Sequence, residues 1–177
     1  MKGIVFTELL GMVASTWSED MVDDIIGDAE LPSGGAYTSV GTYDHSEIVA
    51  LVGALSARTG IPGNTLVCTF GHHMFGRFSA LYPEFFAGID DAMDFLERVE
   101  TVIHVEVLKL YPDAQLPRFE VSRSADRMQL VYRSPRHMGD LAAGLIDGCI
   151  AHYGQPIAVD REDGTGGTVV FRLSRLA

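Results

Sequence analysis

The sequence predicts an α+β fold, a helical N-terminal portion followed by a C-terminal antiparallel sheet with its own helices. Three observations point there. Up to about Tyr111, apolar residues recur at the spacing of amphipathic helices. Beyond Pro112 the pattern changes to alternation, in Arg118–Ser122 and again in Met128–Tyr132, which is the period of strands. Helices first and strands later, without βαβ alternation, separate this chain from the parallel α/β classes.

The elements follow in order. Phe6, Leu9, Leu10, Val13 and Trp17 define a first helix by their spacing. A second starts near Met21 and stops before Pro32, with a Gly-rich turn at Ser33–Ala36. Asp44 or Ser46 caps the next helix, whose buried face is Ile48, Leu51, Val52 and Leu55. Ile61-Pro62-Gly63-Asn64 makes a turn, and a further helix covers Asn64–His73. The longest helix runs from about Gly88 to Tyr111 along a stripe of Met93, Leu96, Val99, Ile103, Val107 and Leu110. The strands Arg118–Ser122 and Met128–Tyr132 are joined by a polar turn, Arg123–Arg127. A helix over Met138–Tyr153 meets its stop signals at Gly154 and Pro156. Ile157–Asp160 and Thr168–Leu173 then form a hairpin around GTGG.

Composition narrows the function. A chain of 177 residues with 47% hydrophobic content fits one domain, residues 1–177, able to enclose a pocket. The net charge of −11, with 24 acidic side chains against 13 basic ones, argues against non-specific nucleic-acid binding. No signal-peptide pattern opens the chain and no apolar run nears the length of a membrane span, so a cytoplasmic location without membrane insertion is expected. Two cysteines, Cys68 and Cys149, make no disulfide framework and read as free thiols. There is no phosphate-binding Gly-rich loop and no G-x-S-x-G nucleophile motif.

One histidine and one short segment carry the chemistry. His104 sits at the edge of the apolar stripe of the longest helix, in VIHVEVLKLYPDAQLPRF. In YRSPR, Tyr132, Ser134 and Arg136 alternate, so in a strand all three would share a face, with Pro135 marking the strand end. A haem needs an axial ligand for its iron and partners for two propionates. Imidazole suits the first, and a permanent guanidinium with a hydroxyl and a phenol suits the second. The other histidines are weaker candidates. His72 and His73 are adjacent, roughly 100° apart on a helix, and read as a solvated face. His45 reads as a turn residue, His137 follows the basic segment, and His152 lies near a helix end.

Together with the opening MKGIVFTELLGMV and with Pro117 thirteen residues after His104, these motifs resemble the H-NOX family, similar to the haem domain of soluble guanylate cyclase. The resemblance runs nearly the whole chain. It implies a haem buried between the helical and sheet portions, with His104 as the proximal iron ligand and Tyr132, Ser134 and Arg136 on the propionates. It places Pro117 against the porphyrin, and Ile4, Val5, Leu9, Met74 and Leu141 along the distal lining. Leu141 stands five residues after Arg136, where the oxygen-binding branch of the family has a tyrosine. The zinc cluster of some relatives is not matched after Cys149, so neither zinc nor thiol sensing is expected.

The function so implied is that of a haem-based gas sensor rather than an enzyme. It binds nitric oxide, and also CO, at ferrous haem and signals by release of the proximal histidine. The haem would be haem b, held non-covalently, because the chain has no C-x-x-C-H pattern. The output would pass to a separate protein, in bacterial stand-alone relatives a histidine kinase or a cyclic-di-GMP enzyme. The competing readings are a peroxidase-like haem enzyme, which calls for distal acid–base groups, and a haem carrier, which calls for ready haem transfer.

Overall fold

The computed structural model describes residues 1–176, in two compact units, the first from Met1 to Phe70 and the second from Gly71 onward. The architecture is α+β, as the periodicities predict.

In the first unit, α1 spans Gly3–Thr16, α2 Glu19–Asp28 and α3 His45–Thr59. Helix α1 buries Phe6, Leu9, Met12 and Val13, while Trp17 is its C-cap rather than part of the stripe. Helix α2 starts earlier than its apolar residues suggest, because the Ser18 side chain accepts the Met21 N–H as an N-cap. Asp44, not Ser46, caps α3, accepting the Ser46 N–H at 2.8 Å. The four apolar residues expected on the inner face of α3 are all buried. Glu47 is buried beside them, and its carboxylate accepts from the Tyr37 hydroxyl at 2.8 Å and from Ser33. Those two bonds hold the loop before α3, whose Tyr37 and Tyr43 rings pack on Phe6.

Helix α4 spans Gly63–Leu81 and so runs eight residues beyond the predicted end at His73. Within the second unit its Gly71 lies against α7, which spans Gly139–Tyr153. A Cβ at Gly71 would stand 2.4 Å from the Leu141 carbonyl oxygen, so only glycine allows the two backbones this approach.

The long helix of the second unit begins at Ala92, not Gly88. The Asp91 carboxylate caps it, accepting the Met93 and Asp94 N–H groups. Its first part, α5 (Ala92–Arg98), leads into a π turn over Val99–Ile103, and α6 (His104–Leu110) completes it. The apolar stripe holds only in part: Met93 and Leu96 are buried and Val99 and Ile103 pack on the core, but Leu110 is exposed.

Four antiparallel strands follow in the order β1-β2-β4-β3: β1 Arg118–Arg123, β2 Arg127–Arg133, β3 Ile157–Asp163 and β4 Thr168–Arg175. Met128, Leu130 and Tyr132 of β2, with Val169, Phe171 and Leu173 of β4, form one apolar face. That face shares a core with Met93, Phe95 and Leu96 of α5 and Ala142, Ile146 and Cys149 of α7. The edge strand β3 is exposed and charged, with Arg161 bound to Asp140 and Asp163, which protects an open sheet edge against further pairing. Among the described residues no helix is long and apolar enough to cross a membrane.

Candidate functional site

In the second unit, His104 is the first residue of α6, directly after the π turn. Its N–H bonds the Val99 carbonyl, one residue further back than α geometry allows. The side chain is 15% exposed. Burial pushes the imidazole below its ordinary value, and the hydrogen bond and charge of Glu100 pull only partly the other way, so the ring is held neutral. Nδ1 lies 3.1 Å from Glu100 Oε2, and among the described residues Nε2 makes no hydrogen bond.

The ring centroid of Phe119 on β1 stands 5.8 Å from that of His104 and 5.4 Å from that of Tyr132. Register explains this: Phe119 pairs directly with Tyr132 across β1 and β2, so their side chains share a face. Phe119 therefore links the histidine to the basic segment.

That segment is a strand only as far as Arg133; Ser134–Arg136 is a turn. Strand alternation is thus not what aligns Arg136 with Tyr132 and Ser134, because Pro135 cannot continue the ladder. The three groups nevertheless meet. The Ser134 hydroxyl, the Met138 N–H and the Arg136 charge all act on the Tyr132 phenol, each favouring its ionised form. Burial raises the phenol above its ordinary value and these partners oppose it. Tyr132 and Ser134 are both buried. The Ser134 hydroxyl also accepts the Arg136 N–H at 3.2 Å, and the Arg136 guanidinium donates to the Gln115 carbonyl at 2.7 Å and its side-chain amide at 3.0 Å. Gln115 lies in the loop that ends at Pro117, so Arg136 and Pro117 border the same loop.

The hairpin between β3 and β4 supports the turn from below. Gly167 accepts the Ser134 N–H through its carbonyl at 3.3 Å, and its φ is +77°. A Cβ there would lie 2.1 Å from the Ser134 carbonyl oxygen.

The remaining candidates are placed as follows. Met74 on α4 is buried and Leu141, in the first turn of α7, is half-buried. In the first unit, Leu9 on α1 is buried while Ile4 and Val5 are half-buried. His72 is exposed and bonds Asp147 at 2.8 Å, a solvated pair. Both cysteines are free, and burial pushes the Cys149 thiol up. Among the described residues no three His, Cys, Asp or Glu side chains converge as for a metal held by the chain alone.

The second unit thus offers a half-buried neutral imidazole with one nitrogen tied and the other open, and a cation–hydroxyl–phenol cluster joined to it through the Phe119 ring. This donor set fits a haem, which needs one axial nitrogen and donors for its carboxylates. Three contributors escaped the sequence reading. Glu100 carried a signal, its position four residues before His104 on a helix. Gln115 and Gly167 carried none, since each acts across the fold.

Comparison with known proteins points to the same cofactor class. Residues 2–161 match the family described as Haem-NO-binding. The chain is 38% identical to the Fe(II) unliganded A71G mutant of an H-NOX protein from K. algicida, with a TM-score of 0.93 over 100% of this chain and 97% of that one. It is 35% identical to the IWP-051-bound H-NOX from Shewanella woodyi in the Fe(II)CO state, with a TM-score of 0.86 over 99% and 95%. It is 25% identical to an H-NOX protein from S. oneidensis in the Fe(II)NO state, with a TM-score of 0.92 over 100% of both chains. No curated protein sequence matches the chain.

Proposed function

Because the chain belongs to the Haem-NO-binding family, we propose that it is a nitric oxide sensor acting as one domain over residues 1–177, with His104 as the proximal ligand of a non-covalent haem b. One observation carries the assignment: the half-buried His104 ring has Nδ1 held by Glu100 and Nε2 left open, and burial keeps its basicity down. The matching structures in Fe(II)NO and Fe(II)CO states support the same ligand class. Tyr132, Ser134 and Arg136 would take the propionates, and Pro117 would press on the ring.

A haem held by His104 would supply a ferrous iron able to bind NO, and the signal we propose is the release of His104 from it. His104, as the first residue of α6, would hold the start of that helix while bound and free it on release. A helix with two such positions is the bistable element a switch requires. The output would pass to a separate effector in the cytoplasm, a histidine kinase or a cyclic-di-GMP enzyme, and the chain would itself be no enzyme. The test is the absorption spectrum of haem-loaded ferrous protein with and without NO. A Soret shift on adding NO is expected, and a chain that takes up no haem ends this reading.

Two further outcomes follow. Arg136→Ala should release haem faster than Ser134→Ala or Tyr132→Phe, because a charge-assisted hydrogen bond contributes about 1.5–3 kcal/mol against roughly 0.5–1.5 for a neutral one. Equal haem transfer rates to apomyoglobin across the three variants and wild type would remove the propionate assignment. Leu141 donates no hydrogen bond, and bound O₂ depends on one far more than NO does. The ferrous protein should therefore keep its deoxy spectrum on first exposure to air and then oxidise slowly; a stable oxygenated spectrum would count against an apolar distal side.

A further inference from the structure

Glu100 lies on the π turn, and one of its carboxylate oxygens does two things. Oε2 accepts the Phe119 N–H from β1 at 3.1 Å and sits 3.1 Å from His104 Nδ1. A carboxylate is an acceptor only, so the imidazole nitrogen facing it must carry the ring proton. The lone pair of the neutral ring is then on Nε2, the nitrogen without a partner among the described residues. Free histidine prefers the opposite tautomer, with the proton on Nε2, which cannot bind a metal through that atom.

We propose that Glu100 is the positioning residue for His104: it fixes the ring proton on Nδ1, keeps Nε2 ready for iron, and ties the histidine to β1 through the Phe119 amide. This rests on the haem-sensor reading for its consequence but not for its geometry. Carboxylate partners of metal-bound histidines orient the ring and raise its basicity, and losing them typically weakens metal binding roughly 10–100-fold. The Phe119 bond adds a mechanical link. Because one oxygen holds both groups, a displacement of His104 pulls on β1 beside Tyr132, its register partner at Phe119.

The experiment compares wild type with Glu100→Gln and Glu100→Leu. In haem-free protein, ¹⁵N NMR of the His104 ring should show the Nδ1–H tautomer in wild type and in the glutamine variant. The leucine variant should shift to Nε2–H, and its Phe119 amide should lose protection from hydrogen exchange. In haem-loaded ferrous protein the iron–histidine stretching frequency should fall in the order Glu, Gln, Leu, with haem released roughly 10–100-fold faster from the leucine variant. If the leucine variant does not fold, the glutamine variant decides alone: a lowered stretching frequency supports the proposal and an unchanged one overturns it. An Nε2–H tautomer in the wild-type haem-free protein also overturns it. A protein that shows the Nδ1–H tautomer but binds no haem would refute the sensor reading while leaving the Glu100 assignment standing.

Discussion

His104→Ala is expected to strip the protein of most of its haem and to give back a ferrous spectrum when imidazole is added. The substitution removes the buried ring whose Nδ1 is held by Glu100 and leaves a space of imidazole size beside Phe119. Free imidazole can occupy that space and donate to the same carboxylate. Tyr132, Ser134 and Arg136, proposed to take the propionates, are untouched, so some haem should be retained in the absence of rescue. Haem content after purification, by pyridine haemochrome, and its recovery on titrating imidazole are the measurements. Full haem content with an unaltered ferrous spectrum would mean that another residue is the ligand.

Gly167→Val should be the most damaging substitution in the sheet half outside the core. Two costs coincide there. A β-branched residue at φ +77° is strained by roughly 1–3 kcal/mol. Its Cβ would also overlap the Ser134 carbonyl, 2.1 Å away, which costs about 1–3 kcal/mol more or displaces the turn. The neighbouring Gly166, at φ +62°, has open space around it and is the control, since Gly166→Val bears the first cost alone. Each lost kcal/mol lowers Tm by roughly 2–4 °C in a domain of this size. Gly167→Val should therefore melt lower than Gly166→Val and should also release haem faster, because its extra strain falls on Ser134 and Arg136. Identical melting temperatures and haem release rates for the two variants would show that the Ser134 contact is unimportant.

Much of this was legible in the sequence, for reasons specific to each element. Ile48, Leu51, Val52 and Leu55 announce α3 because one buried face on a regular helix leaves a clean period. The change to alternation after Pro112 announces the sheet in the same way. The end of α4 was not legible, because Gly71 and Gly76 with two adjacent histidines look like breakers. Gly71 is there for the approach of α7, a reason that exists only in three dimensions. The π turn was hidden because Val99 and Ile103 keep an acceptable α spacing. The candidate site, His104 with Tyr132, Ser134 and Arg136, was readable as residue types alone. Its geometry was not: Pro135 ends the strand early, and Arg136 is aligned by Gln115 and Ser134 rather than by a pleat.

The π turn makes the long helix one residue richer than an α-helix joining the same two ends. His104 reaches back to Val99 rather than to Glu100, so α5 and α6 are each in α phase but offset by that spare residue. Length changes in a helix normally rotate everything downstream by roughly 100° per residue and destroy the buried face. Between Val99 and Ile103 the opposite holds. Loss of the exposed Thr101 or Val102 would turn α5 and α6 into one uninterrupted α-helix while leaving the inner faces on both sides where they are. Glu100 and His104 would then stand three residues apart, still neighbours on a helix. This helix can accordingly shorten by one residue at that point in the course of descent, whereas a residue lost within α5 would turn Met93, Phe95 and Leu96 out of the core they share with the sheet.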